Sequence, residues 1–181
     1  MLQSSSPLKF RKAIENDLDS IYQIYVDAIA ELNRNSIPQW DERYPDRAIL
    51  NKDISKGEMF IGSVDDDIAC AYVVNPECDD QYKNGLWAYP EATFRVIHRL
   101  CVNPKFQKMG IGTSAITHIE EELKANGIES IRLDAFTLNP YALRMYEKLG
   151  YSKVGYAEWR KGRFYLMEKK LEPNIGKMKN D

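Results

Sequence analysis

Hydrophobic positions along this chain switch between a period near two and a period near three and a half, and each switch marks an element. LKFRKAI (8–14) alternates and predicts a first strand. Ile21, Ile24, Tyr25, Ala28 and Leu32 then share one stripe of a helix, with Asn16 or Asp17 as its cap. A loop rich in aromatics and prolines, NRNSIPQWDERYPD (33–46), leads to a shorter helix from Asp46 or Arg47 to Lys56, ended by Gly57. MFIGSV and IACAYVVN flank DDD (65–67) as a hairpin, with the acidic run as its solvated turn. NPECDDQYKNGLWAYPEA (75–92) is a long polar connection. FRVIHRLCV (94–102) predicts a strand, Ile111, Ala115, Ile119 and Leu123 a helix ended by Asn126-Gly127, and SIRLDAF (130–136) a buried strand. Asn139-Pro140 starts a last helix that Gly150 closes, and YSKVGYAEWR and RFYLMEKKL form a final pair of strands. The order β α α β β β α β α β β is mixed α/β, without the steady alternation of a doubly wound parallel sheet.

Composition narrows the class. A chain of 181 residues suits one domain, here 1–181 with a core of about 8–171 and ends expected to fray. A net charge of −2 argues against a nucleic-acid partner, and no apolar run is long enough to span a bilayer. Cys70, Cys78 and Cys101 form no CxxC, and His98 and His118 belong to no HExxH, so no metal site is expected. Three thiols without a secretory signal point to the cytoplasm. Exposed terminal strands leave room for a homodimer.

The chemistry centres on QKMGIG (107–112), where a strand ends and two glycines open a helix. First-turn amides at a helix start have no intrahelical acceptor and sit at the positive end of the dipole, so they suit a phosphate. No third glycine follows as in a dinucleotide-binding turn, and the Gly-Lys-Ser/Thr of a P-loop is absent. QKMGIG resembles the Gln/Arg-x-x-Gly-x-Gly/Ala signature of the general-control-type N-acetyltransferase (GNAT) superfamily. NPYALRMYEKLGY (139–151) resembles its second signature, with Tyr151 in place of the usual Phe. The element order matches from about residue 8 to 171.

The resemblance implies a mixed, mostly antiparallel twisted sheet of six to seven strands flanked by about four helices. It implies direct acetyl transfer from acetyl-CoA to an amine. Gln107, Lys108, Met109, Gly110, Ile111, Gly112 and Thr113 would hold the pyrophosphate, and the main chain of Leu100, Cys101 and Val102 the pantetheine arm. Tyr146 would be the general acid, Asn139 both a helix cap and a CoA contact, and an N–H near Leu100 the oxyanion donor. Cys101 reads as a buried strand residue rather than an acyl carrier. An ammonium with the ordinary amine pKa of about 10.4 must lose a proton before it attacks. His98 is the base by residue type, or else a satisfied core histidine; it shares a face with Val96 and Leu100 if the strand has no bulge. Asp134 or a water chain is the alternative base. Trp40, Tyr44 and Trp159 are expected pocket walls, and Asp41 or Glu42 a partner for the ammonium. The aromatic loop favours a small-molecule amine as acceptor. A protein N-terminus or lysine, or a non-catalytic acyl-CoA sensor, is the alternative.

Overall fold

The computed structural model describes residues 7–172; of the ends expected to fray, 1–7 and 174–181, all but Pro7 lie outside them. The alternating segments become β1 (Lys9–Lys12), β2 (Met59–Val64), β3 (Asp67–Asn75), β4 (Phe94–Val102), β5 (Ser130–Phe136), β6 (Ser152–Trp159) and β7 (Gly162–Lys170). They form one sheet in the order β1-β2-β3-β4-β5-β7-β6. The β4–β5 pair is parallel and every other pair antiparallel. The helical stripes become α1 (Leu18–Arg34), α2 (Arg47–Ser55), α3 (Ile111–Ala125) and α4 (Pro140–Lys148). No helix among the described residues is long and apolar enough to cross a membrane.

α1 and α3 bury the faces that their spacing predicts. On one side of the sheet, Ile111, Ala115, Ile116 and Ile119 of α3 pack with Tyr146 of α4 over Ile131, Leu133 and Ala135 of β5. On the other side, Ile21, Ile24, Tyr25 and Ala28 of α1 pack with Leu50 and Ile54 of α2 over Ile61, Ala71, Val73 and Cys101. Each fully buried side chain of this size contributes about 1.5–3 kcal/mol.

The polar connection 75–92 covers the remainder of that second face. A 3-10 turn, Asp80–Asn84, buries Tyr82 against Val96, Ala157 and Leu166. Trp87 stacks on Tyr82 at 5.6 Å, and the Arg132 guanidinium lies over the Trp87 and Phe94 rings at 4.3 and 3.9 Å. Most of its polar residues are exposed while the rings of Tyr82 and Trp87 do the packing, so composition alone hides its role.

Three local expectations need correction. Neither Asn16 nor Asp17 caps α1 with its side chain; a 3-10 turn, Glu15–Asp17, precedes the helix. The Asp17 carboxylate turns back to accept from Ile14 N at 2.8 Å and from the Arg11 fork at 2.7 and 2.8 Å. The place of His118 on the helix after QKMGIG predicts a plain helix-face residue, but its ring stacks on Phe10 at 4.0 Å. The third concerns β4, which contains a bulge: Cys101 pairs with Ala71 and His98 with Val73, so Tyr72 alone opposes Arg99 and Leu100.

Candidate active site

Arg99 at the bulge has φ 53°, a left-handed conformation that costs a non-glycine residue about 1–3 kcal/mol. Three contacts hold it there. Its guanidinium donates to Asp53 of α2 at 2.7 and 3.0 Å and to Tyr44 Oη at 2.9 Å. Its carbonyl accepts from Tyr25 Oη of α1 at 2.5 Å. Burial opposes the Arg99 charge, but Tyr44 and Asp53 outweigh it and raise its pKa, so it stays protonated. The bulge sends Leu100 and Val102 toward the α3–α4 core and Cys101 into the α1–α2 core. His98 therefore does not share a face with Leu100.

Beyond the bulge the sheet opens. β4 and β5 pair only from Phe94 to Ile97 and from Ser130 to Leu133, then part. A cleft of about 730 Å³ runs through this gap. Part of its lining is QKMGIG. Lys108 and Gly110 take φ 62° and 78°, which turns the chain sharply into α3. The first intrahelical bond runs from Ser114 N to Gly110 O, so the amides of 111–113 have no helical acceptor. A Cβ on Gly110 would meet nothing within 4 Å, whereas one on Gly112 would lie 3.0 Å from Met145 Sδ. Gly110 is needed for its conformation and Gly112 for close helix packing. Open space in front of a ring of unpaired amides, continued by a gap in the sheet, fits an elongated pyrophosphate ligand.

Of the expected cofactor residues, Leu100, Cys101, Val102, Gln107, Lys108, Gly110, Ile111, Gly112, Thr113, Asn139 and Tyr146 line this cleft. Met109 does not line it and is 61% exposed. Asn139 caps α4 by accepting from Ala142 N at 3.1 Å, and its amide donates to Gln39 Oε1 at 2.9 Å. It therefore ties α4 to the loop after α1. Tyr146 is buried beside Tyr151. Burial and then the Asp134 charge push its pKa upward, so its hydroxyl keeps its proton at neutral pH.

The two candidate bases sit on opposite arms of the gap. His98 Nε2 lies 2.8 Å from Asn75 Oδ1, which also accepts from Glu77 N, while the Asn75 amide donates to Glu58. That orientation of Asn75 makes His98 Nε2 a donor. Burial, and then Arg99, push His98 down to about 4. It is neutral at pH 7 and a poor proton acceptor, closer to the satisfied histidine than to the base. Asp134, the first β5 residue past the last β4 pair, accepts from Tyr82 Oη at 2.8 Å. Burial pushes it up to about 6, against the lowering effect of Tyr82.

Trp40, Tyr44 and Trp159 line the same cleft together with Phe136 and Phe164. Asp41 is not available for an ammonium. The Arg160 fork holds it at 2.6 and 2.7 Å, Lys161 lies at 3.4 Å, and Arg160 leads the causes that depress its pKa. Glu42 lies outside this cleft as well. Tyr82 and Arg99 were not among the expected site residues. Tyr82 sits in a segment with no periodic signal, and the bulge that makes Arg99 important has no glycine to announce it.

The acetyltransferase (GNAT) family profile matches residues 18–151. No curated protein matches the chain by sequence. Among solved structures, a GNAT-family acetyltransferase from Streptococcus agalactiae is similar with a TM-score of 0.80 at 23% identity, covering 93% of this chain and 98% of its own. One from Listeria monocytogenes gives 0.74 at 20% identity, covering 94% and 99%. The PaiA N-acetyltransferase of Thermoplasma acidophilum, solved with coenzyme A, gives 0.68 at 16% identity, covering 91% and 99%. The profile spans most of the chain, from α1 through both motifs, and the folds agree over nearly their whole lengths. The chain belongs to the acetyltransferase (GNAT) family and is an acetyl-CoA-dependent acyltransferase.

Proposed function

We propose that the enzyme acetylates the amine of a small molecule with an apolar body. The observation that carries this reading is a single cleft lined by two unlike sets of groups. Unpaired amides and the gap between strands form one set, and the rings of Trp40, Tyr44 and Trp159 the other. Acetyl-CoA, when bound, supplies an activated thioester carbonyl. The amides of 111–113, with the side chains of Gln107 and Lys108, hold its pyrophosphate, and the main chain of Leu100 to Val102 pairs with its pantetheine arm. Asn139 extends the same surface. An N–H near Leu100 stabilises the oxyanion, and Tyr146 Oη holds the proton that the departing sulfur needs. The aromatic walls exclude water and offer an apolar acceptor more contact area than a hydrophilic peptide would find.

A thermal melt with acetyl-CoA, with ADP and NAD as controls, tests the cofactor half. A ligand at 100 times its Kd adds about 2.7 kcal/mol of stability. A panel of small amines and peptides, read by thiol release, tests the acceptor half. Faster release with peptides than with any small amine refutes that half.

A further inference from the structure

Four observations converge on one carboxylate. Asp134 lines the cleft beside the point where β4 and β5 separate. It lies on the sheet face away from Leu133 and Ala135, which pack under α3 and α4 with Tyr146. The cleft therefore has Tyr146 on one face of the sheet and Asp134 on the other, and the Asp134 charge is felt at the Tyr146 hydroxyl. Finally, the only hydrogen bond to this carboxylate among the described residues comes from Tyr82, to Oδ2, so Oδ1 of this cleft-lining residue has no protein partner and is not among the buried unpartnered atoms.

Resting on the acetyltransferase reading above, we infer that Asp134 is the general base that takes a proton from the acceptor ammonium, with Tyr82 as its positioning residue. An ammonium sheds two protons on its way to an amide N–H. Asp134 Oδ1 takes the first, becomes a neutral carboxyl, and returns that proton to solvent when product leaves. The freed lone pair forms the C–N bond, and the C–S bond breaks with its electron pair on sulfur. Tyr146 gives its proton to that sulfur and regains one from the nitrogen, so one proton is released per turnover.

The surroundings suit the task. Tyr82 and Asp79 face Asp134 from the 75–92 connection, Arg99 from β4, Tyr44 from the loop after α1 and Tyr146 from α4, and His98 of β4 lines the same cleft. Its β7 partner, Leu166, carries no charge. Burial raises the carboxyl, Tyr82 and Arg99 lower it and Asp79 raises it, to a balance of about 6. A base poised there is ionised at pH 7 yet holds a proton more readily than an ordinary aspartate.

The test compares two probes of similar shape. 2-Phenylethylamine is protonated at pH 7, and phenylacetic hydrazide is already neutral. Wild-type kcat/KM for the amine should rise with pH through about 6. Asp134→Asn should cost the amine about 10²–10⁴-fold at pH 7 and move the acidic limb up toward the amine's own pKa. The hydrazide, which needs no base before attack, should lose only a few-fold. Tyr82→Phe removes the bond that favours the carboxylate, so the limb should move upward with less loss of rate. Equal losses for both probes, or a limb that stays put in both variants, overturn the assignment. If Asp134→Asn does not fold, judged by the acetyl-CoA melting shift, Tyr82→Phe decides alone. No thiol release by the wild type with either probe overturns the small-amine reading and this inference with it. Release with an unmoved limb overturns only the base.

Discussion

Replacing Arg99 with alanine tests what holds the bulge in β4. Arg99 and Asp53 side chains are 12% and 8% exposed and meet through two bonds of 2.7 and 3.0 Å. Removing the cation leaves a buried carboxylate without its partner, a loss of about 3–5 kcal/mol. Alanine keeps the left-handed strain, so nothing offsets this, whereas Arg99→Gly should recover about 1 kcal/mol. Burial already raises the Asp53 pKa, only partly countered by Arg99. Without Arg99 it rises further. A raised acid costs stability above its folded pKa and recovers it as pH falls, so the difference from wild type should shrink on acidification. Urea unfolding at two pH values, with midpoints extrapolated linearly, measures both effects. Asp53→Asn added to Arg99→Ala should restore part of the loss, because the stranded charge is gone. A loss below about 1 kcal/mol at pH 7, the range of an exposed pair, would refute the reasoning, as would a double variant no better than the single one.

Tyr146→Phe should lower turnover by about 10²-fold or more while keeping the acetyl-CoA melting shift, and unchanged turnover would remove it as the acid. Gly110→Ala should cost about 1 kcal/mol in a melt, all of it conformational because the new Cβ meets no atom, and Gly110→Asn should cost less. His98, pushed down to about 4, should show no imidazole titration by NMR between neutral pH and about 5. Since the folded chain binds that proton less readily than the unfolded one, His98 contributes a loss of stability as pH falls from about 6.5 toward 4. A midpoint near 6.5 would contradict its burial.

The two motifs were legible because their chemistry is local: Gly110, Asn139 and Pro140 act through turns and caps within a few residues of themselves. The same holds for the helices, whose stripes at Ile21, Ile24, Ala115 and Ile119 bury where their spacing places them. What sequence could not reveal depends on partners far along the chain. Arg99 is set by Asp53, Asp134 by Tyr82 and Asp41 by Arg160, across 46, 52 and 119 residues. Strict alternation along FRVIHRLCV puts His98 beside Leu100. One extra residue at the bulge separates them, and long-range packing alone selects that residue. The acidic, aromatic loop points to Asp41 or Glu42 as the ammonium's partner, but Arg160 neutralises Asp41 and Glu42 does not line the cleft.

The parting of β4 from β5 gives the centre of the sheet two short edges of its own. Main-chain groups of 98–102 and 134–136 that point into the gap have no partner strand across it. Their amides should exchange with deuterated solvent faster than those of the paired halves, 94–97 and 130–133. An extended polar chain lying in the gap would act as the missing strand and slow that exchange. Deuterium uptake at these few positions would then report occupancy directly, before any acceptor is known and without any turnover.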